Sequence, residues 1–256
     1  MIFIDDGSKQ SEDLFLEYKL SKKKFIYLKY LKWDTNFFSK PSYILDFDKS
    51  NFIPNENFKK LLTSKFLDSF ISVKLNTQFD FKYMDFLQKC GFVYIDTEVQ
   101  LEHSGINISF DNTIDIQDLS VNKDLPYEEL GGSFSLTRFH TDINITNDKA
   151  DLIWIEYLRN FKPGEDKHIY VAKIENRIIG TALITVSCNI AYLFFIAVLK
   201  ENRGLGVGQQ LINRVLSDFT EFKIQTGTQV KNINALNFYI KNGFTIINSS
   251  SVLHRY

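Results

Sequence analysis

An uninterrupted apolar run that leads into a glycine-rich turn constrains this chain more than any other feature. The run, residues 191–199, has no helical period and is long enough for a buried strand. After the polar residues 200–202, the turn Arg203-Gly204-Leu205-Gly206-Val207-Gly208 precedes an amphipathic helix with the apolar face Leu211, Ile212, Val215, Leu216 and Phe219. Backbone N–H groups at a helix N-terminus favour an anion such as a pyrophosphate. The stretch therefore predicts a strand–turn–helix unit that binds a phosphorylated ligand.

Two common nucleotide-binding turns do not fit this glycine pattern. A P-loop carries Lys and then Ser or Thr after its last glycine, whereas this chain has Gln209 and Gln210 there. A Rossmann turn has G-x-G-x-x-G spacing and an acidic residue about 20 residues further on. Here the spacing is G-x-G-x-G, and the strand predicted at residues 223–228 offers no acid. These two classes of nucleotide-binding fold are therefore disfavoured.

A turn of a third kind fits, and a second motif follows it. The pattern Arg203-x-x-Gly206-x-Gly208 resembles the coenzyme A turn of the GNAT acetyltransferases. Their second motif is matched at every spacing by Asn232-x-x-Ala235-x-x-x-Tyr239-x-x-x-Gly243-Phe244. The resemblance implies a GNAT fold of the α/β (α+β) class, with a mixed, mostly antiparallel central sheet flanked by helices. It also implies an N-acetyltransferase that takes acetyl-CoA as its co-substrate.

The GNAT resemblance assigns roles to individual residues of this stretch. The backbone of Ile196, Ala197 and Val198 would pair with the pantetheine arm, Asn232 would bond either to this arm or to the nearby loop, and Ala235 would belong to the same cofactor site. The pyrophosphate would be held by the turn and the start of the helix, which are Arg203, Gly204, Leu205, Gly206, Val207, Gly208 and Gln209. Tyr239 would be the general acid that protonates the departing thiolate, and the alternative for it is a packing role in the core.

Shorter pieces of the chain resemble the dTDP-fucosamine acetyltransferases within the GNAT superfamily. These pieces are Trp33-Asp34-Thr35-Asn36-Phe37-Phe38, Thr137-Arg138-Phe139-His140, and Thr228-Gln229 ahead of the second motif. The resemblance implies acetylation of a nucleotide-linked amino-deoxy sugar, with dTDP-4-amino-4,6-dideoxygalactose as the best candidate, for surface polysaccharide synthesis. The candidate substrate-binding residues are Trp33, Thr137, Arg138, Phe139 and His140. Relatives commonly have Ser-Arg-Phe where this chain has Thr137-Arg138-Phe139, and a GNAT that acetylates an amino acid, a peptide or a polyamine is the alternative.

Several roles stay open at this point. Many GNATs carry a Glu on the strand before the turn, but residues 192–199 have no acid, so the general base is either His140 or a chain of water molecules. A purely structural His140 is the other interpretation. Arg138 would pair either with a substrate phosphate or with Asp142. Trp33 would either stack on the thymine base or cover an N-terminal core.

An internal repeat predicts two related units. Residues 70–92 and 222–244 each span 23 residues with the plan strand, loop, helix, Gly-Phe. The first copy has Leu87 where the second has Tyr239, and it lacks a glycine-rich turn upstream. We therefore expect a smaller, degenerate GNAT-like domain at residues 1–110, which contributes to the substrate site, and an acetyl-CoA-binding catalytic domain at residues 111–256. The alternative is a coincidental similarity between two β-α-β segments.

Local patterns predict the remaining elements. We expect helices at residues 8–20, 55–65 and 80–90 and from Thr146 or Asn147 onward, the last with Ala150, Ile153, Trp154, Tyr157, Leu158 and Phe161 on one face. Residues 33–39 are predicted to form a loop, and residues 111–124 a polar connector. Strands are predicted at residues 24–31, 42–47, 70–75, 93–101, 168–173, 177–187, 190–199 and 250–256.

Composition excludes several other classes of protein. A net charge of −1 without a basic stripe disfavours nucleic acid as a partner. No apolar run approaches the length of a membrane span, and the N-terminal residues do not have the pattern of a signal peptide. Cys90 and Cys188 indicate a reduced, cytoplasmic setting and structural roles, and no His/Cys cluster has metal-ligand spacing. A homodimer is an expectation from the GNAT resemblance alone.

Overall fold

The computed structural model describes residues 15–21, 24–47, 56–78, 81–104, 114–121 and 124–256. They belong to two compact units. The N-terminal unit is defined here as the described residues up to 98 together with residues 249–256, and the C-terminal unit as the described residues of 99–248. The single boundary expected near residue 110 lies outside the described residues, and the last residues of the chain belong with the N-terminal unit.

Strands and helices are interspersed along the described residues. The strands are β1 (Phe15–Ser21), β2 (Lys24–Tyr30), β3 (Ser42–Phe47), β4 (Phe70–Asn76), β5 (Val93–His103), β6 (Asp115–Asp118), β7 (Lys167–Ile174), β8 (Arg177–Ser187), β9 (Ile190–Val198), β10 (Lys223–Gln229) and β11 (Thr245–Arg255). The helices are α1 (Lys32–Phe38), α2 (Glu56–Lys65), α3 (Phe81–Lys89), α4 (Tyr127–Gly131), α5 (Arg138–Thr141), α6 (Asn147–Asn160), α7 (Val207–Asp218) and α8 (Ile233–Lys241), with a 3₁₀ turn at Lys200–Asn202.

In the N-terminal unit the strand order is β1-β2-β3-β4-β11. Strands β3 and β4 run parallel, and the other pairs along this order are antiparallel. Helices α2 and α3 cover the sheet with buried apolar side chains, namely Phe58, Leu62, Tyr83 and Leu87. They pack with Val73, Leu75 and Leu253 of the strands, so this unit has a hydrophobic core of its own.

Two predictions for the N-terminal unit are wrong. Of the helix expected at residues 8–20, residues 8–14 lie outside the described residues, and the remainder forms β1, which pairs with β2. The expected loop at residues 33–39 is mostly helix α1, in which Trp33 and Phe37 stack at a centroid distance of 5.1 Å. An i, i+4 pair of this kind stabilises a helix, and the loop prediction overlooked it.

In the C-terminal unit the strand order is β5-β10-β9-β8-β7-β6, and β5 belongs to this unit from Val99 onward. The strands from β6 to β9 pair antiparallel, whereas β10 runs parallel to β9. Strand β6 lies inside the stretch that was expected to be a polar connector, so that prediction is wrong for Asp115–Asp118. The predicted architecture, a mixed and mostly antiparallel sheet flanked by helices, is confirmed.

Helix α7 follows the apolar period that its sequence predicts. Leu211, Ile212, Val215 and Leu216 are buried in the core of the C-terminal unit, and Phe219 follows at the helix end. Helix α6 starts as expected at Asn147, with the Thr146 hydroxyl accepting from the backbone N–H of Lys149. Among the described residues, no helix is both long and apolar enough to cross a membrane.

The two copies of the internal repeat end their helices in the same way. Gly91 has φ +89° and Gly243 has φ +82°, a region that glycine adopts without strain. The N–H of the following Phe92 donates to the carbonyl of Leu87 at 3.0 Å, and that of Phe244 donates to the carbonyl of Tyr239 at 3.1 Å. Both ends are therefore Schellman-type caps, set by a Gly-Phe pair.

Candidate functional site

The parallel strands β9 and β10 separate before either of them ends. Their paired residues run from Ile190 and Lys223 to Leu193 and Thr226. The last pair is held by the Thr226 hydroxyl, which donates to the Leu193 carbonyl at 2.8 Å. Beyond this point β9 continues to Val198 and β10 to Gln229 without pairing to each other. Backbone groups along the gap are thus released from the ladder and become available to a ligand.

A β-bulge on β9 marks the place where the strands part. The register of β9 against β8 shifts between the pairs Ile184–Leu193 and Leu183–Phe195, which leaves Phe194 as the extra residue. A bulge bends its strand and redirects the side chains that follow it. The bend explains why Phe194, Ile196 and Val198 line a cavity rather than continue the flat sheet.

The glycine-rich turn closes one end of this gap. The Arg203 side chain donates through Nε to the carbonyl of Val198 at 3.1 Å, which ties the turn to the end of β9. Gly204 and Gly206 both have φ +80°, and a Cβ at either position would meet open space. Glycine is therefore required by the backbone angle rather than by crowding. Gly206 is the N-cap of α7, whose first turn contains no acidic residue.

The gap and the turn enclose a cavity of about 620 Å³ within the C-terminal unit. Its charged lining residues are Arg203 and Lys241. Within the described part of the chain, its lining includes no Asp, Glu or His. Together with the N-terminus of α7, these cations make a site that favours an anionic ligand.

The cavity brings together most of the residues expected to bind the cofactor. Its lining includes the β9 residues Ile196, Ala197 and Val198, the turn residues Arg203, Gly204, Gly206, Val207, Gly208 and Gln209, and Asn232, Ala235 and Tyr239. Leu205 is not part of the lining, and its residue surface is 62% exposed. The turn thus presents its glycines and Arg203 to the cavity and leaves Leu205 to solvent.

Asn232 has a structural partner of its own. Its side-chain oxygen accepts from the backbone N–H of Ala235 at 3.2 Å, so it caps α8. This contact fixes the position at which α8 starts beside the cavity. A Cβ at Gly208 would lie 3.4 Å from the ring of Phe238 on the same helix. The glycine therefore allows α7 and α8 to approach closely.

Tyr239 is the ionisable phenol of the cavity lining. The residue is 6% exposed, and its ring packs beside Phe238 and Phe244 at centroid distances of 5.3 and 5.5 Å. Burial raises the pKa of the Tyr239 phenol, and a hydrogen bond with the Thr226 side chain opposes that rise. The group therefore holds its proton throughout the neutral range, as a proton donor must.

The residues expected to bind substrate are divided between several places. Thr137 is buried and lines the cavity, whereas Arg138, Phe139 and His140 of α5 are not part of its lining. The Arg138 guanidinium lies over the Phe139 ring, 4.6 Å from its centroid. The carboxylate of Asp142, its other expected partner, accepts from Asn144. Trp33 lies in α1 of the N-terminal unit, stacked on Phe37.

Thr137 connects the cavity lining to His140. Its hydroxyl lies 2.7 Å from His140 Nδ1, and His140 Nε2 lies 3.0 Å from Asp151 Oδ1 on α6. The His140 side chain is 7% exposed, and that of Asp151 is 38% exposed. A hydroxyl, an imidazole and a carboxylate therefore form one hydrogen-bonded row from the cavity lining to the surface.

Sequence reasoning missed a pair of stacked aromatic rings in the cavity lining, Phe134 and Trp154, which we call the aromatic wall. Phe134 stacks on Trp154 at a centroid distance of 5.1 Å, and its ring also lies 4.9 Å from that of Phe195. Trp154 was expected on the apolar face of α6, but Phe134 precedes α5 in a stretch without a recognisable pattern. The Trp154 indole N–H is buried, and it has no hydrogen-bond partner within the part of the chain that the structure describes. The two rings meet only because α6 and the preceding segment fold together, so no local signal predicted the wall.

The described residues contain no group of His, Cys, Asp and Glu side chains arranged to hold a metal ion. The polar groups of the cavity are hydroxyls, amides and two cations rather than metal ligands. They fit a phosphorylated organic ligand with an apolar arm, since the glycine-rich turn with Arg203 and the apolar side chains of β9 line the same cavity.

Comparisons with known proteins agree with this geometry. Residues 165–246 match the family model of the acetyltransferase (GNAT) domain. That range includes β7 to α8, and so contains the bulge, the turn and Tyr239. No curated protein sequence matches the chain.

Solved structures share the fold at low sequence identity. A conserved protein of unknown function from Staphylococcus epidermidis is 15% identical with a TM-score of 0.66, over 95% of this chain and 94% of that one. A GCN5-related N-acetyltransferase from Kribbella flavida is 13% identical with a TM-score of 0.60, over 90% and 86%. A tandem GNAT protein from the clavulanic acid biosynthesis pathway is 13% identical with a TM-score of 0.55, over 90% and 78%. The domain match and the shared fold together support an acetyl-CoA-dependent acetyltransferase as the class of enzyme.

Proposed function

We propose that this chain, with a GNAT acetyltransferase domain at residues 165–246, moves the acetyl group of acetyl-CoA to the amine of a small acceptor. The observation that carries the proposal is the separation of β9 from β10, which leads directly into the turn with Gly204 and Gly206 at φ +80°. An unpaired strand edge suits an amide-rich arm, and the turn with its helix N-terminus suits a pyrophosphate. Both ends of coenzyme A thus have a matching surface in one cavity.

Each part of acetyl-CoA has candidate partners in the lining. The unpaired backbone of Ile196, Ala197 and Val198 offers hydrogen bonds to the pantetheine amides, because backbone groups outside a ladder need partners. The first N–H groups of α7 lack partners within the helix and face the end where Arg203 adds a positive charge. Phosphates bound there would gain charge-assisted hydrogen bonds.

The residues of the cavity then have defined tasks in direct acetyl transfer. The acceptor amine attacks the thioester carbon while both reactants are held in the cavity, which removes most of the entropic cost of the encounter. A backbone N–H of the unpaired β9 segment stabilises the oxyanion. Tyr239 donates the proton that the departing thiolate takes up, and regains one from solvent after product release.

The acceptor that fits best is a nucleotide-linked amino-deoxy sugar, with dTDP-4-amino-4,6-dideoxygalactose as the specific candidate. The aromatic wall of Phe134 and Trp154 suits a planar or apolar ring face. A polyamine would require carboxylates, and within the described residues none line the cavity. Arg138, close to Thr137 in sequence, is the candidate contact for the nucleotide phosphates. An enzyme that acetylates an amino acid or a peptide is the second candidate.

An acetylation screen tests the proposal. Purified protein is mixed with acetyl-CoA and dTDP- or UDP-linked amino sugars, with spermidine and amino acids as comparison amines, and free thiol is followed over time. We expect turnover with an amino-sugar nucleotide, and Arg138→Ala should raise its KM about ten- to a hundredfold while sparing acetyl-CoA. Efficient turnover with spermidine alone would overturn the proposed acceptor but not the acetyl transfer.

The N-terminal unit is proposed to be a degenerate GNAT-like unit without a cofactor site. It has Leu87, buried and aliphatic, at the position of Tyr239, although the two helix ends share the Gly-Phe cap. We expect titration of the full chain with acetyl-CoA to give one site per chain. A second site of similar affinity would contradict this assignment.

A further inference from the structure

The row of hydrogen bonds formed by Thr137, His140 and Asp151 is built in an unusual way. Thr137 is the N-cap of α5, a position where a hydroxyl ordinarily accepts from a backbone N–H of its own helix. Here its side chain makes no such capping bond, and its hydroxyl lies 2.7 Å from His140 Nδ1 instead. The capping interaction is thus replaced by one with an imidazole.

The second half of the row fixes the chemistry of the imidazole. His140 Nε2 lies 3.0 Å from Asp151 Oδ1, and a carboxylate only accepts. Nε2 must therefore carry a proton, and in the neutral ring Nδ1 is then the acceptor for the Thr137 hydroxyl. A carboxylate that orients an imidazole, which in turn accepts from a hydroxyl, is the arrangement through which hydrolases withdraw the proton of a hydroxyl.

Acetyl transfer needs a base that the cavity itself does not supply. An attacking amine must lose a proton as its bond to the acetyl carbon forms. Within the described residues, the cavity lining has no carboxylate and no imidazole that would take that proton directly. Thr137 lines the cavity, and its hydroxyl is hydrogen-bonded to the titratable imidazole of His140. The proton therefore has a route out of the cavity through a hydroxyl.

We propose that Thr137, His140 and Asp151 form a proton relay that deprotonates the attacking amine. The proposal rests on the acetyl transfer proposed above and names the base for it. Thr137 is the member that contacts the acceptor, while His140 and Asp151 act through it as positioning residues.

The step balances without any further reactant. As the C–N bond forms, the amine N–H bond breaks and its proton passes to Thr137 Oγ1, while the Thr137 proton passes to His140 Nδ1. The C–S bond then breaks, and the thiolate takes the proton of Tyr239. The imidazolium, stabilised by Asp151, loses its proton to solvent, and Tyr239 regains one. The sum is amine plus thioester giving amide plus thiol.

Other charged groups lie around the relay. Asp151 comes from α6, which packs against α5. Arg138 lies on α5 itself over the Phe139 ring, and Asp142 follows that helix. Lys231, before α8, bonds the hydroxyl of Thr141. Of these groups, Asp151 is the one that bonds the imidazole directly.

The first test needs no acceptor. The ¹⁵N–¹H correlation spectrum of the histidine rings at pH 7.5 reports which nitrogen carries the proton, and His140→Gln identifies the signal among the four histidines. We expect His140 to be protonated on Nε2, with Nδ1 as an acceptor. A proton on Nδ1 would overturn the relay.

The second test uses turnover with the best amine of the screen. Thr137→Val removes the hydroxyl at nearly constant volume and should lower kcat by about 10²–10⁴, the usual size of a lost general base. KM for acetyl-CoA should stay unchanged, and Thr137→Ser should recover most of the rate. Ser133→Ala is the matched control, because it removes a hydroxyl of the cavity lining that donates to the Leu130 carbonyl and takes no part in the relay.

A second pair of variants separates a relay from a purely structural row. Asp151→Asn removes the carboxylate that holds the Nε2 proton of His140, so with the relay it should lower kcat and leave the KM for acetyl-CoA unchanged. Asp148→Asn, which changes an exposed carboxylate on the same helix, should leave kcat unchanged. A structural role of Asp151 would change stability and not kcat.

The outcomes are distinguishable. If the wild-type protein releases no thiol with any amine, the proposed acetyl transfer fails and the relay with it. If the wild-type protein acetylates an amine and Thr137→Val keeps more than half of kcat, the relay is wrong while the proposed acetyl transfer stands. An acetyl group found on Thr137 by mass spectrometry would replace the relay by covalent catalysis.

Discussion

Thr226 and Leu193 form the last pair of the parallel β9–β10 ladder, and the Thr226 hydroxyl bonds the Leu193 carbonyl at 2.8 Å. The Thr226 side chain also lowers the pKa of the Tyr239 phenol, against the rise that burial causes. One residue therefore both ends the strand pairing and influences the candidate acid at the point where the cavity opens. Tyr239 itself lies on α8, whose start is fixed by the Asn232 cap.

The glycine turn should determine affinity for acetyl-CoA. Gly206→Glu places a carboxylate at the N-terminus of α7 and a side chain at φ +80°, where only glycine is unstrained. We expect the Kd for acetyl-CoA, measured by calorimetry, to rise well over tenfold, while circular dichroism confirms an intact fold. Leu205→Glu is the matched control.

The control adds the same charge in the same turn, but at an exposed residue outside the cavity lining. Its effect should be less than about threefold, since exposed charges are screened at physiological salt. Equal effects of the two variants would mean that the turn acts only through its overall charge.

The two cysteines should differ strongly in reactivity. Cys90 is buried, and burial raises its pKa to about 11. Because the thiolate is the reactive form, roughly one thiol in a thousand is ionised at pH 8. Cys188 is exposed at the β8–β9 turn. A disulfide-exchange reagent should therefore modify Cys188 rapidly and Cys90 only after unfolding.

The variant Cys188→Ser is the direct check on this assignment. It should show almost no fast thiol release in native buffer and full release in denaturant. A fast phase that persists in this variant would mean that Cys90 becomes accessible in the native protein.

The Gly-Phe helix ends offer a matched comparison of stability. Alanine at Gly91 or Gly243 must adopt a left-handed angle, which costs about 1–2 kcal/mol. A Cβ at Gly243 would also meet His103 Nε2 at 3.0 Å, whereas at Gly91 the nearest atom is Arg255 Nε at 3.6 Å. We expect Gly243→Ala to reduce the free energy of unfolding in urea by more than Gly91→Ala does. The reverse order would imply that His103 moves aside freely.

The sequence predicted what local periodicity determines. The run at residues 191–199, the apolar face of α7 and the cap at Gly243 are each encoded within a few residues, and each is found. The segment around Phe15 was predicted wrongly as helix, because its apolar residues do not reveal that the chain turns back to pair with β2.

The predicted site was incomplete for a similar reason. The aromatic wall joins Phe134 to Trp154, and the relay joins His140 to Asp151, so both depend on how α5 and α6 pack. Motif spacing carries no information on such contacts between elements. Leu205 shows that a motif match does not by itself place a residue in the cavity lining. It lies inside the matching turn motif, but it is exposed to solvent.

The last prediction concerns Tyr239, whose phenol is the candidate acid. Tyr239→Phe keeps the ring in its contacts with Phe238 and Phe244 and removes only the proton. Loss of a general acid lowers the rate by about 10²–10⁴, and a thiolate is a moderately good leaving group, so we expect kcat to fall by about 10². KM for acetyl-CoA should barely change, because the lost interaction acts in the transition state.

The pH dependence of Tyr239 has a definite sign. Burial raises the pKa of the phenol above its ordinary value of 10.0, so the acid stays protonated through neutral pH and is lost only as pH rises past that raised value. The wild-type kcat should therefore show no fall attributable to Tyr239 below pH 10. Tyr127→Phe, which removes a phenol outside the cavity lining, serves as the control. If Tyr239→Phe keeps more than half of kcat while chemistry limits the rate, Tyr239 is a packing residue and water protonates the sulfur.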